Sequence, residues 1–141
     1  MELKLNGAIL FDSGRADFKE GAESIVDRVA DSIKQYDANT ITIEGHTDNV
    51  PINTAQFPDN MMLSIHRAYT VFTYLVDKKG FDPTSLTSSG RGEAVPVASN
   101  STPEGRQQDK RVEIKIYTSP YSQTQFMVFV FTVQSENVKS I

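Results

Sequence analysis

The sequence predicts an α+β fold, a two-layer βαβαβ sandwich in which a mixed sheet carries two long helices on one face. Two long segments repeat apolar residues every three or four positions, which is typical of amphipathic helices. Two shorter segments alternate between apolar and polar residues, which is typical of strands. Turn-forming residues separate these segments, and 141 residues are enough for one domain of ordinary size.

The first half of the chain supplies two strands and one helix. The apolar run at residues 8–11 predicts a buried strand, because the turn formers at residues 12–14 close it. From Asp17 to about Tyr36 apolar residues recur at helical spacing, and Asp17 with Glu20 resembles a capping box. Residues 40–44 alternate strictly and are rich in β-branched side chains, so they predict the second strand.

The second half predicts an exposed loop at residues 49–59 and a second long helix. Asp59 or Asn60 would cap this helix and Gly80 would end it. A helical turn at residues 82–83, a strand at 86–88 and a loop at 90–101 follow. Thr102 before Pro103 predicts a short helix to about residue 108, and residues 111–118 alternate as a last strand, with Glu113 facing outward.

We expect the domain to span residues 1–118 and a C-terminal extension to span residues 119–141. Pro120 interrupts the pattern, and the apolar run at residues 126–131 does not alternate with polar residues. This run is either an extra strand or part of a disordered tail, since an exposed run of this kind would tend to aggregate.

Composition excludes several functional classes. The net charge is -4 and the basic residues are scattered, so we expect no nucleic-acid partner. The chain has no cysteine, which removes disulfides, thiol catalysis and thiolate metal sites. The first ten residues lack the apolar region of a signal peptide, and no apolar run approaches the roughly 20 residues of a membrane helix.

Two charged residues stand out by position. Asp48 follows the second strand, where α/β sheets commonly bind ligands, but a turn aspartate more often accepts hydrogen bonds from its own backbone. Arg67 lies near the edge of the buried face of the second helix, where a surface arginine with a buried stem is the more common role. Residue chemistry alone therefore leaves both a structural and a ligand-binding role open.

Four motifs decide between these roles by resemblance. Residues 45–52 read GHTDNVPI, residues 60–71 follow NxxLSxxRAxxV, residues 90–96 follow GxGExxP, and residues 105–114 follow GRxxxxRVEI. Their order and spacing resemble the OmpA-like peptidoglycan-binding domains. The NVPI continuation and the long proline-containing loop resemble the version of this domain in the MotB family of flagellar stator proteins.

The resemblance implies non-covalent binding of peptidoglycan through the diaminopimelate of its stem peptide. Asp48 would bind the ammonium group of diaminopimelate and Arg67 its carboxylate, to which arginine can form two parallel hydrogen bonds. Further family positions map onto Thr47, Asn60, Leu63, Ser64 and Arg111. Asp109 departs from the family, which usually has asparagine there, and this leaves open both a change in the local hydrogen bonds and a repulsion of the ligand carboxylate.

The resemblance also implies a non-enzymatic, cofactor-free and metal-free protein on the extracytoplasmic side of the inner membrane. An N-terminal helix, absent from this chain, would tether it, and it would form a homodimer and pair with a MotA-like channel subunit. Three alternatives remain: an OmpA-like envelope protein unrelated to the motor, an interaction domain that has lost wall binding, and a metal-dependent hydrolase using His46, Asp48 and His66.

Overall fold

The structure is a computed structural model that describes residues 3–35, 40–118, 127–131, 133–134 and 137–138. The strands are β1 Leu3–Asn6, β2 Thr40–His46, β3 Leu86–Gly90, β4 Arg111–Thr118, β5 Met127–Phe131, β6 Val133–Gln134 and β7 Asn137–Val138. The helices are α1 Gly7–Leu10, α2 Ala22–Ile33, α3 Asn60–Asp77 and α4 Pro103–Asp109, with a 3-10 turn at Pro83–Ser85. Among these described helices, none is both long and apolar enough to cross a membrane.

The sheet is mixed, which confirms the predicted fold class. β2 lies between β3, to which it is parallel, and β4, to which it is antiparallel. The other edge of β4 is shared: β1 pairs with residues 111–114 and β5 with residues 114–118, both antiparallel. The division of the chain at residue 118 remains a prediction.

The core lies between one face of the sheet and the helices α2 and α3. Alternate residues of β2 and β4 point toward the helices, because successive side chains of a strand face opposite sides. The buried side chains of this core include Val26, Val29, Ile41, Ile43, Val71, Leu75, Ile114 and Ile116.

The opposite face of the sheet, on which neither α2 nor α3 packs and which we call the helix-free face, differs from the prediction at one position. Glu113 was expected to face solvent, yet it is buried at 8% exposure beside Glu44, His46 and Arg111. Its partner residue Glu44 lies directly across from it on β2. This face therefore holds a cluster of charged and polar groups, whose ion pairs with one another make their burial tolerable.

The expected strand at residues 8–11 is wrong. Residues Gly7–Leu10 form a single helical turn, and the first strand precedes it at Leu3–Asn6. Leu10 and Phe11 are nonetheless buried at 0% and 2% exposure. A short apolar run is equally compatible with a buried strand and a buried helical turn, so periodicity could not distinguish them.

The first long helix is shorter than predicted. It begins at Ala22, after Gly21 in the left-handed conformation and without a side-chain cap, and it ends at Ile33. Asp17 does not cap it, because Phe18 instead forms a bridge with Phe11 and stacks on its ring. Tyr36, the predicted end, lies outside the described residues.

The other helices confirm the predicted boundaries. Asp59 caps α3 and accepts a hydrogen bond from the backbone N–H of Met62 at 2.9 Å. Thr102 caps α4 and accepts from the N–H of Gly105 at 3.0 Å, with Pro103 in the first turn. The first turn of α3 lies beside residues 45–48, which we call the GHTD turn, because Asn60 donates a hydrogen bond to the backbone oxygen of Asp48.

Candidate functional site

A cavity of about 630 Å³ opens where the turn after β2 meets the start of α3. Its walls come from residues 11–14, most of residues 47–54, the first turns of α3 and the C-terminal part of α4. Of the seven residues expected from the sequence to bind a ligand, five line it: Thr47, Asp48, Asn60, Leu63 and Arg67.

Asp48 stabilises its own turn and also lines the cavity. Its Oδ1 accepts a hydrogen bond from the N–H of Val50 at 3.0 Å, which stabilises the turn. Its Oδ2 lies 3.8 Å from Nζ of Lys110, and only 11% of the side chain is exposed. One oxygen therefore holds the turn while the carboxylate as a whole contributes negative charge to the cavity.

Asn60 fixes the distance between the turn and α3. Its Nδ2 donates to the backbone oxygens of Val50 at 3.0 Å and of Asp48 at 3.4 Å. From the other side, the N–H of Thr47 donates to the carbonyl of Gly92 at 2.8 Å. These bonds attach both sides of the turn to neighbouring segments, so the Asp48 carboxylate has a defined position.

Arg67 is a buried cation whose guanidinium is held by backbone carbonyls. Its Nε donates to the oxygen of Arg15 at 2.7 Å and its Nη2 to that of Asp12 at 3.2 Å. The group lies 5.1 Å from the centre of the Phe11 ring. Burial lowers the pKa of Arg67 to about 10 although the Asp48 charge raises it, so the side chain remains charged at neutral pH.

Ser64 and Arg111 do not line the cavity. Ser64 is completely buried, and its Oγ donates to the carbonyl of Met61 and accepts from the N–H of Gly92 at 2.9 Å. Arg111 donates from Nε to Oε2 of Glu113 at 2.6 Å on the helix-free face of the sheet. Ser64 thereby connects α3 to Gly92, whose carbonyl accepts from Thr47, whereas Arg111 belongs to the charged cluster on the opposite face of the sheet.

Asp109, the departure from the family pattern, holds a loop and is not part of the cavity wall. Asp109 is completely buried and does not line the cavity. Its Oδ1 accepts hydrogen bonds from the N–H groups of Val97 at 2.7 Å and Ala98 at 3.0 Å. The side chain therefore fixes the loop that follows β3, and an asparagine oxygen could accept the same two bonds.

The sequence alone did not identify four charged residues of the cavity. Asp12, Lys19, Arg106 and Lys110 all line it. Lys110 directly precedes Arg111, and in an extended chain neighbouring side chains point to opposite sides. This alternation could have identified Lys110 as a cavity residue, since Arg111 at the start of β4 points to the helix-free face.

The hydrolase constellation does not assemble at the cavity. His46 lies on the helix-free face, and His66 packs against the ring of Phe57 at 5.3 Å. Neither histidine lines the cavity that contains Asp48. Burial lowers the pKa of His46, and the charge of Arg111 lowers it further.

Glu44, His46 and Glu113 are the described residues whose donor atoms are close enough together to hold a metal ion. Nε2 of His46 lies 2.8 Å from Glu44 and 3.6 Å from Glu113. Each carboxylate already has a cationic partner, Lys115 at 3.6 Å from Glu44 and Arg111 at 2.6 Å from Glu113. The cluster is therefore electrically balanced without an additional ion.

The chemistry of the cavity suits a ligand that carries both charges. Asp48 offers a carboxylate and Arg67 a guanidinium, and both belong to side chains that are largely buried. Between them the walls include apolar groups of Val50, Ile52 and Leu63.

The chain is similar to proteins from several bacteria. It is 34% identical over 114 residues to motility protein B of Bacillus subtilis, covering 81% of this chain but only 44% of that protein. The cell wall anchor of the type VI secretion system from Pseudomonas aeruginosa has a TM-score of 0.74 at 35% identity, covering 79% of this chain and 76% of that one. The periplasmic domain of Helicobacter pylori MotB has a TM-score of 0.75 at 28% identity, covering 83% and 75%.

A family model also matches most of the chain. It is described as the OmpA family and matches residues 10–110, a range that includes the cavity, the first three sequence motifs and the start of the fourth. The chain belongs to the OmpA family.

Proposed function

We propose that this domain binds peptidoglycan without covalent chemistry, by holding the distal end of a diaminopimelate side chain. That end carries an ammonium and a carboxylate on one carbon. The observation that carries the proposal is the presence of the Asp48 carboxylate and the Arg67 guanidinium in one cavity. Asp48 would bind the ammonium and Arg67 the carboxylate, since both interactions are charge-assisted hydrogen bonds.

The arrangement of Arg67 supports the second contact. Two of its nitrogens are occupied by the carbonyls of Arg15 and Asp12, which fixes the plane of the guanidinium before a ligand arrives. A preorganised side chain loses little conformational entropy on binding. Lysine could supply the charge at this position but not the planar fork.

The walls also suit the middle of the ligand. Diaminopimelate joins its distal end to the peptide through a chain of methylene groups. Leu63 and Ile52 offer apolar surface beside the charged residues. Thr47 and Asn60 complete the wall, and we assign them to positioning Asp48 because their hydrogen bonds hold the turn.

The expected affinity is moderate. Charge-assisted hydrogen bonds contribute about 1.5–3 kcal/mol each, so a few of them give dissociation constants of roughly micromolar order. Peptidoglycan is a polymer with many stem peptides, and multivalent contact would strengthen attachment without additional interactions in the cavity.

Sedimentation with insoluble sacculi tests the proposal. Wild-type protein is expected to pellet with diaminopimelate-type sacculi and to remain in solution with lysine-type sacculi, because lysine lacks the distal carboxylate. Asp48→Asn keeps the oxygen that accepts from Val50 but loses the charge, so it should fold and bind at least tenfold more weakly. Arg67→Lys should bind more weakly for lack of the fork.

The matched controls are Asp31→Asn and Arg91→Ala, which change exposed charges outside the cavity. Both should pellet like the wild type. Equal sedimentation of wild type, Asp48→Asn and Arg67→Lys would contradict the proposal, as would equal binding to the two kinds of sacculi. Release of soluble muropeptide fragments by the purified domain would instead favour the hydrolase alternative.

We further propose that the intact protein anchors a flagellar stator of the MotB type to the wall. The similarity to motility protein B supports this role, although the chain spans less than half of that protein. The domain would then lie on the periplasmic side, tethered by a membrane helix, and would act as a homodimer with a MotA-like channel subunit.

A domain exchange tests the stator role. This domain would replace the corresponding domain of motility protein B in Bacillus subtilis, and swimming on soft agar would be measured. Restored swimming that Asp48→Asn abolishes is the expected result. A chimera that binds sacculi but does not swim would favour an envelope anchor unrelated to the motor.

A further inference from the structure

The cavity carries more positive charge than one zwitterion requires. Four cationic side chains line it, Lys19, Arg67, Arg106 and Lys110, against two anionic ones, Asp12 and Asp48. The chain as a whole is acidic, with a net charge of -4. A cationic cavity on an acidic protein indicates a ligand whose own charge is negative.

The two acidic groups cannot account for all four cations. Oδ2 of Asp48 lies 3.8 Å from Nζ of Lys110, and the negative charge of Asp48 also raises the pKa of Arg67. Within the described part of the chain, Lys19 and Arg106 form no ion pair. Arg106 donates from Nη1 to the carbonyl of Asn100 at 3.0 Å, which orients the side chain but does not neutralise it.

The volume of the cavity also indicates a ligand larger than the zwitterionic end of diaminopimelate. About 630 Å³ is in the range of pockets that enclose a drug-sized ligand, which is much larger than the end of one amino-acid side chain. A ligand that places its zwitterionic end between Asp48 and Arg67 therefore still has neighbouring atoms inside the cavity. Those atoms would lie near the remaining cations.

We propose that Lys19 and Arg106, with Lys110, form a second subsite that binds another carboxylate of the same stem peptide. This inference rests on the proposed function and identifies the preferred form of its ligand. The carboxylate is either that of the isoglutamate preceding diaminopimelate or the terminal one of an uncrosslinked stem. The domain thus prefers stem peptides whose neighbouring carboxylate is free over those in which it is amidated.

The experiment measures binding of soluble muropeptides by calorimetry at low salt. All ligands contain unmodified diaminopimelate; one has both further carboxylates free, one is amidated at isoglutamate, and one is amidated at the terminal residue. Loss of the carboxylate that the subsite binds should weaken binding about two- to fivefold, and the other amidation should not. The difference should shrink as salt is added, because these cations are partly exposed.

Variants connect the preference to the residues. Lys19→Gln and Arg106→Gln should bind the free muropeptide about two- to fivefold more weakly and should lose the preference over the amidated ligand. Arg106→Lys should retain it, which separates the charge from the contact with Asn100. Lys78→Gln, which removes an exposed lysine outside the cavity, is the matched control.

The outcomes distinguish this inference from the proposed function. If no muropeptide binds, diaminopimelate recognition itself fails. If all three bind equally to the wild type and Lys19→Gln changes nothing, the second subsite is refuted while the proposed function stands. Competition by inorganic phosphate as strong as that by the free muropeptide would show a general anion site and would also refute the subsite.

Discussion

Asp109 is a buried carboxylate that holds a loop beside the cavity without lining the cavity itself. It joins the end of α4 to the loop after β3, and that loop in turn reaches the GHTD turn. The side chain of Asn100 accepts a hydrogen bond from the N–H of Asn49 at 3.2 Å. The position of the turn therefore depends on a loop that Asp109 holds in place.

We expect Asp109→Asn and Asp109→Ala to differ strongly. Asparagine keeps an oxygen for the N–H groups of Val97 and Ala98, so the free energy of unfolding should change by less than about 1 kcal/mol. Alanine leaves these two donors without their acceptor and should cost about 2–4 kcal/mol. Urea denaturation measures both, and equal costs would show that the two hydrogen bonds contribute little.

At the scale of residues, the sequence motifs identified cavity residues that the distribution of charged residues along the chain did not. The turn and helix motifs identified Asp48 and Arg67, which lie in one cavity. Arg111 was expected there too, but the cavity contains Lys110 instead. Two adjacent cations differ in the direction of their side chains, and the resemblance assigned Arg111 to the cavity although the alternation of β4 puts it on the same face as Glu113.

At the scale of elements, β2 and α3 lie in close contact at Gly45. A Cβ atom at Gly45 would lie 2.1 Å from the carbonyl oxygen of Ser64, far inside any real contact. A Cβ atom at the neighbouring Gly90 of β3 would likewise clash with Ser64 and Ile65. Glycine in both strands thus allows α3 to lie close to the sheet and brings Arg67 near the turn.

We expect Gly45→Ala to be strongly destabilising, by about 3 kcal/mol or more, because backbone atoms of α3 must move. Gly21→Ala is the matched comparison: its φ of 86° is unfavourable for alanine, but its Cβ would meet nothing within 4 Å. That change should cost about 1–2 kcal/mol. Thermal unfolding of both variants checks the order, and a smaller loss for Gly45→Ala would contradict the close packing.

Elements with strong patterns were predictable and the N-terminal segment was not. The helix α3 and the strand β4 were predicted nearly to the residue, because caps and alternation mark their ends. Residues 8–11 carry apolar side chains in either conformation, and only tertiary contacts make them a helical turn. A capping pattern at Asp17 was likewise overridden when Phe18 joined Phe11.

For the whole molecule, the charged cluster on the helix-free face sets the response to acid. Burial and Arg111 lower the pKa of His46 below its ordinary 6.5. Burial acts to raise the pKa of Glu113, but the hydrogen bond and charge of Arg111 outweigh it and lower the pKa below 4.5. Both groups therefore take up protons more readily in the unfolded chain than in the folded one.

We expect the free energy of unfolding to be constant near pH 8 and to fall as the pH drops below 6.5, where the unfolded histidine gains a proton. A second loss should begin near pH 4.5, where the unfolded glutamate is protonated first. His46→Gln should remove the first loss and leave the second. Urea unfolding between pH 8 and pH 4 measures this, and an unchanged slope above pH 5 in the variant would exclude His46 as its cause.

The origin of the cavity walls has a mechanical consequence. They come from segments near residues 12, 50, 63 and 108, which lie far apart along the chain. A ligand seated there would contact all four segments at once, so stretching the domain must break ligand contacts before these segments can separate. Binding of a ligand would then also raise the resistance of the domain to unfolding under tension, because a ligand that binds only the folded state stabilises it.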